Sequence, residues 1–235
     1  MKEPFELCAL CLKRSSKTIC AACYGILPHR TLLSRRLLLK SPMYGELMAV
    51  AAFHYHTPIP RIVRHFKFYE QVRHAKWMGQ AMSQSFLRYR ADINSGRIGL
   101  HHLDLMNPSA VLPLPLHPER ERERGYNQAL ELAQVIALGL GIPLKTEGFY
   151  RVKATKRQSE MFGRLERYTN VRNAFAVQAS KWQGEKILLV DDVSTTGASL
   201  QAAAEALLDA GAYAVLGLVF ASDRRGFDES LEDVA

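Results

Sequence analysis

The spacing of apolar residues changes along this chain, and each change marks a different kind of element. Ile62, Val63 and Phe66 recur at three to four residues, and Trp77, Met78, Ala81, Met82, Ser85 and Phe86 continue that spacing, which predicts two helices. Before them, residues 49–55 read as a strand and Pro58-Ile59-Pro60 as a turn. Residues 94–107 hold glycines and histidines with little period and read as a loop. Beyond that point strands and helices alternate. Residues 110–116 are an apolar run in which Pro113 and Pro115 argue for an ending or a sheet-edge irregularity. Ala129, Leu132, Ala133, Ile136, Ala137 and Leu140 form one helical stripe, and Leu200, Ala203, Leu207 and Leu208 form another that stops at Gly211. Residues 187–190 are wholly apolar, as in strands buried on both faces of a parallel sheet, and 213–221 read as the next strand. Strands joined by crossover helices predict a doubly wound, mostly parallel α/β sheet.

The amino-terminal end obeys other rules. Cys8, Cys11, Cys20 and Cys23 are the only cysteines, spaced C-x2-C-x8-C-x2-C. Each pair can put two sulfurs on one metal from a tight turn, and eight intervening residues suffice to close a tetrahedron. Two disulfides are the alternative. They need an oxidising compartment, and the first eight residues lack the basic and apolar stretches of a signal peptide. The expectation is a structural Zn2+ whose four thiolates leave no open position, so that it holds the fold and performs no chemistry. Residues 28–42 are basic and leucine-rich, with Arg30, Arg35, Arg36 and Lys40, and read as a connecting helix or arm. The expected organisation is a zinc-binding module over 1–28, a connecting basic arm over 29–48 and an α/β domain over 49–235.

Composition narrows the picture only a little. Of 235 residues, 48% are hydrophobic and 23% charged, which excludes a disordered polymer, a collagen or a coiled-coil rod. The formal net charge of +8 suits phosphorylated metabolites, nucleic acid or an anionic membrane surface, and equally an excess kept for solubility. No run approaches the roughly 18 apolar residues of a membrane helix, so the expected location is the cytoplasm. Arg61, Arg64, His65, Lys67 and Arg73 give one region a basic face, either a solvated surface or a nucleic-acid contact.

The chemistry concentrates in residues 187–199, where a buried strand meets Asp191 and Asp192 and then Val193-Ser194-Thr195-Thr196-Gly197-Ala198-Ser199. Ligands of open α/β sheets bind at the carboxyl ends of strands. The amides of residues 195–199 would be the unpaired donors of a helix start, suited to a phosphate monoester, with Gly197 admitting close approach. Two adjacent acids can accept hydrogen bonds from a diol one sugar-length away. Together these features describe a ribose 5-phosphate site. Neither G-x4-G-K-[ST] nor G-x-G-x2-G occurs, which disfavours Walker-type and Rossmann sites.

This segment resembles the 5-phosphoribosyl 1-pyrophosphate (PRPP) motif of type I phosphoribosyltransferases. The resemblance implies that Asp191 and Asp192 hold the ribose hydroxyls. It also implies that Ser194, Thr195, Thr196, Gly197, Ala198 and Ser199 wrap the 5-phosphate, and that Mg2+ accompanies the pyrophosphate. Reaction at C1 would then pass through an oxocarbenium-like transition state, with the protein positioning groups and stabilising charge. Residues 112–118, followed by Arg120, Arg122, Glu123, Arg124, Gly125, Tyr126, Asn127 and Gln128, resemble the P-L-H-x(n)-R-E-R-G-[FY]-N-Q signature of the ComF/GntX group. That likeness implies a pyrophosphate loop with Leu116, His117, Arg122 and Arg124, and makes Arg124 catalytic beside the two acids. Arg151, Thr155, Gln158, Arg167, Asn170, Val171, Ala174 and Phe175 match a second pattern of the group. It implies a mobile catalytic loop containing Arg151, Gln158 and Arg167.

With the four-cysteine module, the resemblance spans essentially the whole chain. It implies a Mg2+-dependent phosphoribosyltransferase of unstated acceptor serving DNA uptake in natural transformation. The alternative is a non-catalytic factor that handles single-stranded DNA, with other DNA-uptake proteins as partners. Several residues keep two readings. The basic stretch from Arg151 to Arg172 suits a lid over pyrophosphate or a groove tracking a phosphate backbone. Residues 119–124 suit surface salt bridging or ligand binding, and His117 a structural or catalytic role. His54, His56, His101 and His102 show no metal-ligand spacing with a carboxylate.

Overall fold

The structure, a computed structural model, describes residues 6–8, 10–11, 13–27, 29–38, 46–68, 73–96, 107–153 and 173–223. Strands β1 (Glu6–Leu7) and β2 (Arg14–Ser15) pair antiparallel and precede the short helix α1 (Ala21–Gly25). Then come β3 (His29–Leu38), β4 (Glu46–His54), α2 (Ile59–Phe68) and α3 (Arg73–Asn94). They are followed by β5 (Ala110–Pro113), α4 (Pro118–Arg124) and α5 (Gln128–Leu140). A small antiparallel pair, β6 (Phe149–Arg151) and β7 (Phe175–Val177), leads to β8 (Lys186–Ser194), α6 (Ala198–Asp209) and β9 (Ala214–Ser222).

The main sheet has the order β3-β4-β9-β8-β5 and is parallel except for β3, which runs antiparallel to β4. Side chains alternate across a strand, so β4, β5, β8 and β9 each feed two cores. Met48, Val50, Leu188, Val190, Leu216 and Leu218 join a core with Ile62 and Phe66 of α2, Met78 and Met82 of α3, and Leu132 and Ile136 of α5. Ala49, Ala51, Ile187, Leu189, Val215 and Val219 join the opposite core with Leu200, Ala203 and Leu207 of α6. Phe149, Phe175 and Trp182 close that second layer. Burial on both faces is why these strands read as unbroken apolar runs. The α/β sheet expected from the alternating elements is present.

Four local expectations change. Residues 29–38, expected as a connecting helix or arm, are strand β3, whose backbone is completed by pairing with β4 from Leu33↔Ala51 to Leu38↔Glu46. That partner arrives only through tertiary folding. Helix α2 begins at Ile59, inside the expected turn, with Pro60 in its first turn where a missing amide is tolerated. Strand β8 does not stop at Val190. Its ladder with β9 continues through both acids to Ser194↔Ser222. The loop expected over 94–107 begins later, since α3 extends to Asn94, and residues 97–106 lie outside the described residues. Among the described residues no helix is long and apolar enough to cross a membrane.

The layer of α3 and α5 is close-packed at Gly79, where a Cβ would lie 2.7 Å from Val135 Cβ and 2.8 Å from its Cγ1. At Gly139 the nearest group to a Cβ is Ser83 Oγ at 3.6 Å, an ordinary contact. Gly79→Ala therefore lowers stability by about 1–3 kcal/mol through overpacking, although alanine is the better helix former. Gly139→Ala raises it by up to about 1 kcal/mol. Urea unfolding of the two variants checks the opposite signs.

Candidate functional site

The topology decides where a ligand can enter. After β5 the chain turns outward through α5, and a parallel bridge at Val111↔Leu144 extends the edge. After β8 it turns the other way, through α6 on the opposite face, to β9. Connections that leave neighbouring strands in opposite directions open a crevice at the strands' carboxyl ends. The ladder of β5 with β8 ends at Pro113↔Val190, and the Leu114 amide adds one last bond of 2.8 Å to the Val190 carbonyl. From Asp191 onward β8 overhangs the end of β5 and forms the floor of the crevice.

Alternation then splits the acids between layers. Asp192 continues the face of Leu188 and Val190, toward α2, and its Oδ2 lies 2.8 Å from Lys67 Nζ in an ion pair. Asp191 continues the face of Ile187 and Leu189, and its Oδ1 accepts the Asp192 amide at 2.8 Å. Burial first, then the charge of Asp192, push the Asp191 carboxyl up to about 7 against the opposing pull of Lys67 and Arg151. On the far wall Arg151 is buried, with its guanidinium 5.5 Å from the centre of the Phe175 ring. Burial, and next the charge of Arg120, lower that guanidinium from its ordinary value. The crevice is about 680 Å3, and Lys67, Arg120, Arg124 and Arg151 surround the two acids in its lining.

Two local geometries of the chain shape the remaining walls. Gly125 (φ 80°) ends α4 in the left-handed region, and Asn127 caps α5 by accepting the Ala129 amide at 3.0 Å while donating to the Leu114 carbonyl at 3.2 Å. Arg124 is thereby held at the rim, its Nη1 donating to Gln128 Oε1 at 2.9 Å. Gly197 (φ 81°) opens α6, so the positive end of that helix begins at the crevice. Ser194 Oγ is buried and has no hydrogen-bond partner among the described residues, although Ser194 lines the crevice. A buried hydroxyl without a partner is costly unless a ligand or water supplies one.

The expected site residues divide accordingly. Asp191, Asp192, Ser194, Thr195, Gly197, Ala198, Ser199, Leu116, Arg124 and Arg151 all line the crevice. Thr196 ties the turn together, its Oγ1 accepting the Ala198 amide at 3.4 Å. His117 caps α4, its Nδ1 accepting the Glu119 amide at 3.4 Å, and Arg122 Nε donates to the Pro118 carbonyl at 3.4 Å. Neither belongs to the described lining. Thr155, Gln158, Arg167, Asn170 and Val171 lie outside the described residues. Lys67 and Tyr55 are the additions that sequence reading did not single out as site residues. The three-residue spacing of Arg61, Arg64 and Lys67 was the available signal, but nothing in it told which end of the stripe would meet an acid.

A second constellation sits on the amino-terminal module. The sulfurs of Cys8, Cys11, Cys20 and Cys23 all lie within 4.8 Å of one another, and Cys11 and Cys20 are 3.8 Å apart. A tetrahedral Zn–S4 centre has sulfur separations of about 3.8 Å, so the four are positioned to hold a metal ion. Amides organise them: Cys20 N donates to Cys8 Sγ at 3.4 Å and Cys23 N to Cys20 Sγ at 3.5 Å. Burial raises the Cys8 thiol, but backbone amides of Cys11, Cys20 and Leu10 prevail and bring it down to about 6. Burial and then the neighbouring sulfurs push Cys23 up to about 12. Four clustered thiolates need a cation to coexist. The module is docked on the main domain, because Leu10 and Trp77 pack against both the cysteine cluster and the first core, which Leu27 also enters.

Comparison with known proteins agrees with this arrangement. The family described as "Phosphoribosyl transferase domain" matches residues 126–232. Competence protein F of Haemophilus influenzae is 32% identical over 197 residues, covering 83% of this chain and 80% of that protein. DNA utilization protein YhgH of Escherichia coli K12 is 30% identical over 211 residues, covering 89% of this chain and 87% of that protein. Competence protein ComFC of Bacillus subtilis is 34% identical over 101 residues, 43% of this chain and 39% of that protein. Matched to such relatives over most of its length, the chain belongs to the ComF family and carries a phosphoribosyl transferase domain.

Proposed function

We propose that the crevice at the end of β8 binds PRPP with Mg2+ and that the protein serves DNA uptake in natural transformation, acting in the cytoplasm. The observation that carries the donor-site reading is the pair of carboxylates on the overhanging strand, next to a buried hydroxyl that has no partner among the described residues and to the positive end of α6. Asp191 and Asp192 accept hydrogen bonds from the ribose hydroxyls, and their charge favours the positive character that develops at C1. The turn from Ser194 to Ser199 and the start of α6 receive the 5-phosphate. Arg124, Arg120 and Arg151 receive the pyrophosphate, whose Mg2+ neutralises the leaving charge. The product class is a phosphoribosylated acceptor, which makes the protein a glycosyltransferase when turnover occurs.

The role in DNA uptake rests on the names of the relatives, competence and DNA utilization proteins, and on the net charge of +8. The same observations support a second reading, in which the protein handles single-stranded DNA and the sugar-phosphate crevice acts as a sensor. The metal on the four cysteines is proposed to be Zn2+ with a purely structural task, since four sulfur ligands close its coordination shell.

Three outcomes test these assignments. Calorimetry with Mg2+ and PRPP gives heat for the wild type, and Asp191→Ala/Asp192→Ala weakens binding at least about 100-fold through lost charge-assisted hydrogen bonds. Equal binding by the double variant overturns the donor site. Transformation that survives loss of both acids, with oligonucleotide binding intact, favours the second reading over the enzymatic one.

The second outcome concerns pH. Asp191 ionises near 3.8 when unfolded and near 7 when folded. Between these values the folded chain keeps a proton that the unfolded chain has released, so stability falls as pH rises from about 4 to 7. Asp191→Asn removes that decline. Urea unfolding should show the variant more stable than wild type at pH 8, by on the order of 2 kcal/mol, and no more stable at pH 4.

The third concerns the metal. Elemental analysis should find one zinc per chain, and chelation should lower Tm by more than about 5 °C as the module's hold on Leu10 and Leu27 is lost. An unchanged Tm after complete removal contradicts a structural role.

A further inference from the structure

Two acids side by side at the end of a buried strand need positive charge nearby, and cations from three elements line the crevice: Lys67 from α2, Arg120 and Arg124 from α4, and Arg151 from β6. Arg124 is drawn to Gln128 Oε1 and Arg151 lies over the Phe175 ring. Among the described residues, Lys67 is the cation that reaches an acid directly, its Nζ 2.8 Å from Asp192 Oδ2. We infer that Lys67 is a positioning residue of the crevice: its ammonium balances the charge of Asp192 and fixes that carboxylate toward α2, while leaving the carboxylate's hydrogen-bonding capacity to the ribose diol. The inference rests on the reading of the crevice as the PRPP site.

The contact supplies charge without a hydrogen bond. Asp192 Oδ2 is buried, yet among the described residues no donor, Lys67 included, is aligned for a hydrogen bond to it. Its lone pairs stay available, and a ligand hydroxyl that reaches them meets a charged acceptor, the stronger kind. Lys67 is also well held for this task. Phe66, its neighbour in sequence, is buried in the first core, with its ring 6.0 Å from that of Tyr126 and its carbonyl accepting the Tyr126 hydroxyl. Tyr126 follows Gly125 in the turn that carries Arg124, so the end of α2 and the arginine rim are joined. The ammonium itself belongs to the last turn of α2, the negative end of a helix, where a cation is favoured.

The charge of one acid bears on the other. The groups that face the pair are Lys67 from α2, Tyr55 from the link before it, Arg120, Glu123 and Arg124 from α4, and Arg151 from β6, with Tyr126 near enough to feel Asp192. Burial and then the charge of Asp192 push Asp191 up to about 7, and Lys67 is the largest influence in the other direction, ahead of the Asp192 amide and Arg151. Without the ammonium that pull is gone, so the pair gives up its proton only at higher pH. A proton on the pair removes a charge-assisted acceptor where the diol binds. Such a site binds its ligand weakly near neutral pH and recovers once the pH is high enough to ionise both acids. A lysine that only packed α2 on the sheet, or only attracted the ligand's phosphates, would be missed equally at every pH.

Metal-loaded full-length protein is titrated calorimetrically with Mg2+-PRPP at about pH 6.5 and about pH 9, as wild type, Lys67→Met and Lys67→Arg, with Lys67→Gln in place of Lys67→Met if the latter does not fold. At the lower pH the neutral variant should bind about tenfold or more weaker than wild type, the effect of a shift of about one pH unit in the carboxylates. At the higher pH the two should agree within about threefold, because both acids are then ionised without help. Lys67→Arg keeps the charge and should stay within about threefold of wild type at both values. A deficit of the same size at both pH values overturns the inference, since it marks a structural role or a direct phosphate contact. Neutral-variant binding within about twofold of wild type at the lower pH also overturns it, as does Lys67→Arg binding as weakly there as the neutral variant. Each of these results leaves the donor site standing. Wild-type protein that takes up no PRPP at either pH overturns the donor reading, and the role of Lys67 falls with it.

Discussion

Two carboxylates on consecutive residues at the end of a buried strand repel each other, and the structure holds them by sending their side chains into different layers. Asp192 meets Lys67 from α2, and Asp191 turns toward the side that carries Arg151. Neither cation alone can satisfy both acids. Burial first, and then the charge of Asp192, hold the Asp191 carboxyl above its ordinary range and so favour its protonated form. This balance of charge across the plane of the sheet sets the shape of the site, because the elements that bring Lys67 and Arg151 also form the crevice walls.

The balance depends on a mismatch in strand length. If β8 ended with β5 at Val190, the acids would sit on a loop and their directions would be free. Pairing with β9 carries β8 on to Ser194 and locks the alternation of side chains. The same ladder buries Ser194 and brings its carbonyl within 2.8 Å of the Ser222 hydroxyl. A crevice whose carboxylates are held rigid loses little entropy on taking up a ligand. On the other side, caps at His117 and Asn127 and the left-handed turn at Gly125 set Arg124 on the rim, with Asn127 anchored to the end of the sheet through the Leu114 carbonyl.

The amino-terminal module belongs to the same physical system. Its cysteines are too few and too close to build a core, and they are positioned to hold a metal ion that would supply cohesion. Leu10 and Trp77 transmit that cohesion to the α2–α3 layer, the layer that supplies Lys67. Cysteine cluster, helix and acid are therefore linked through one continuous set of contacts.

Much of this was written in the residues themselves. The helical stripes of 129–140 and 200–208, the apolar run at 187–190, the cysteine spacing and the acid-hydroxyl segment each depend on local period or chemistry, and each identifies its element without reference to the rest of the chain. What local pattern cannot contain is the identity of a partner. Residues 29–38 become a strand because β4 offers an edge, β8 reaches Ser194 because β9 is long enough to pair with it, and His117 and Arg122 are drawn into the cap of α4 and away from the crevice. Lys67 meets Asp192 across 125 residues of chain, a contact that only the packing of α2 on the sheet could decide, since ion pairing acts through space and carries no period along the sequence.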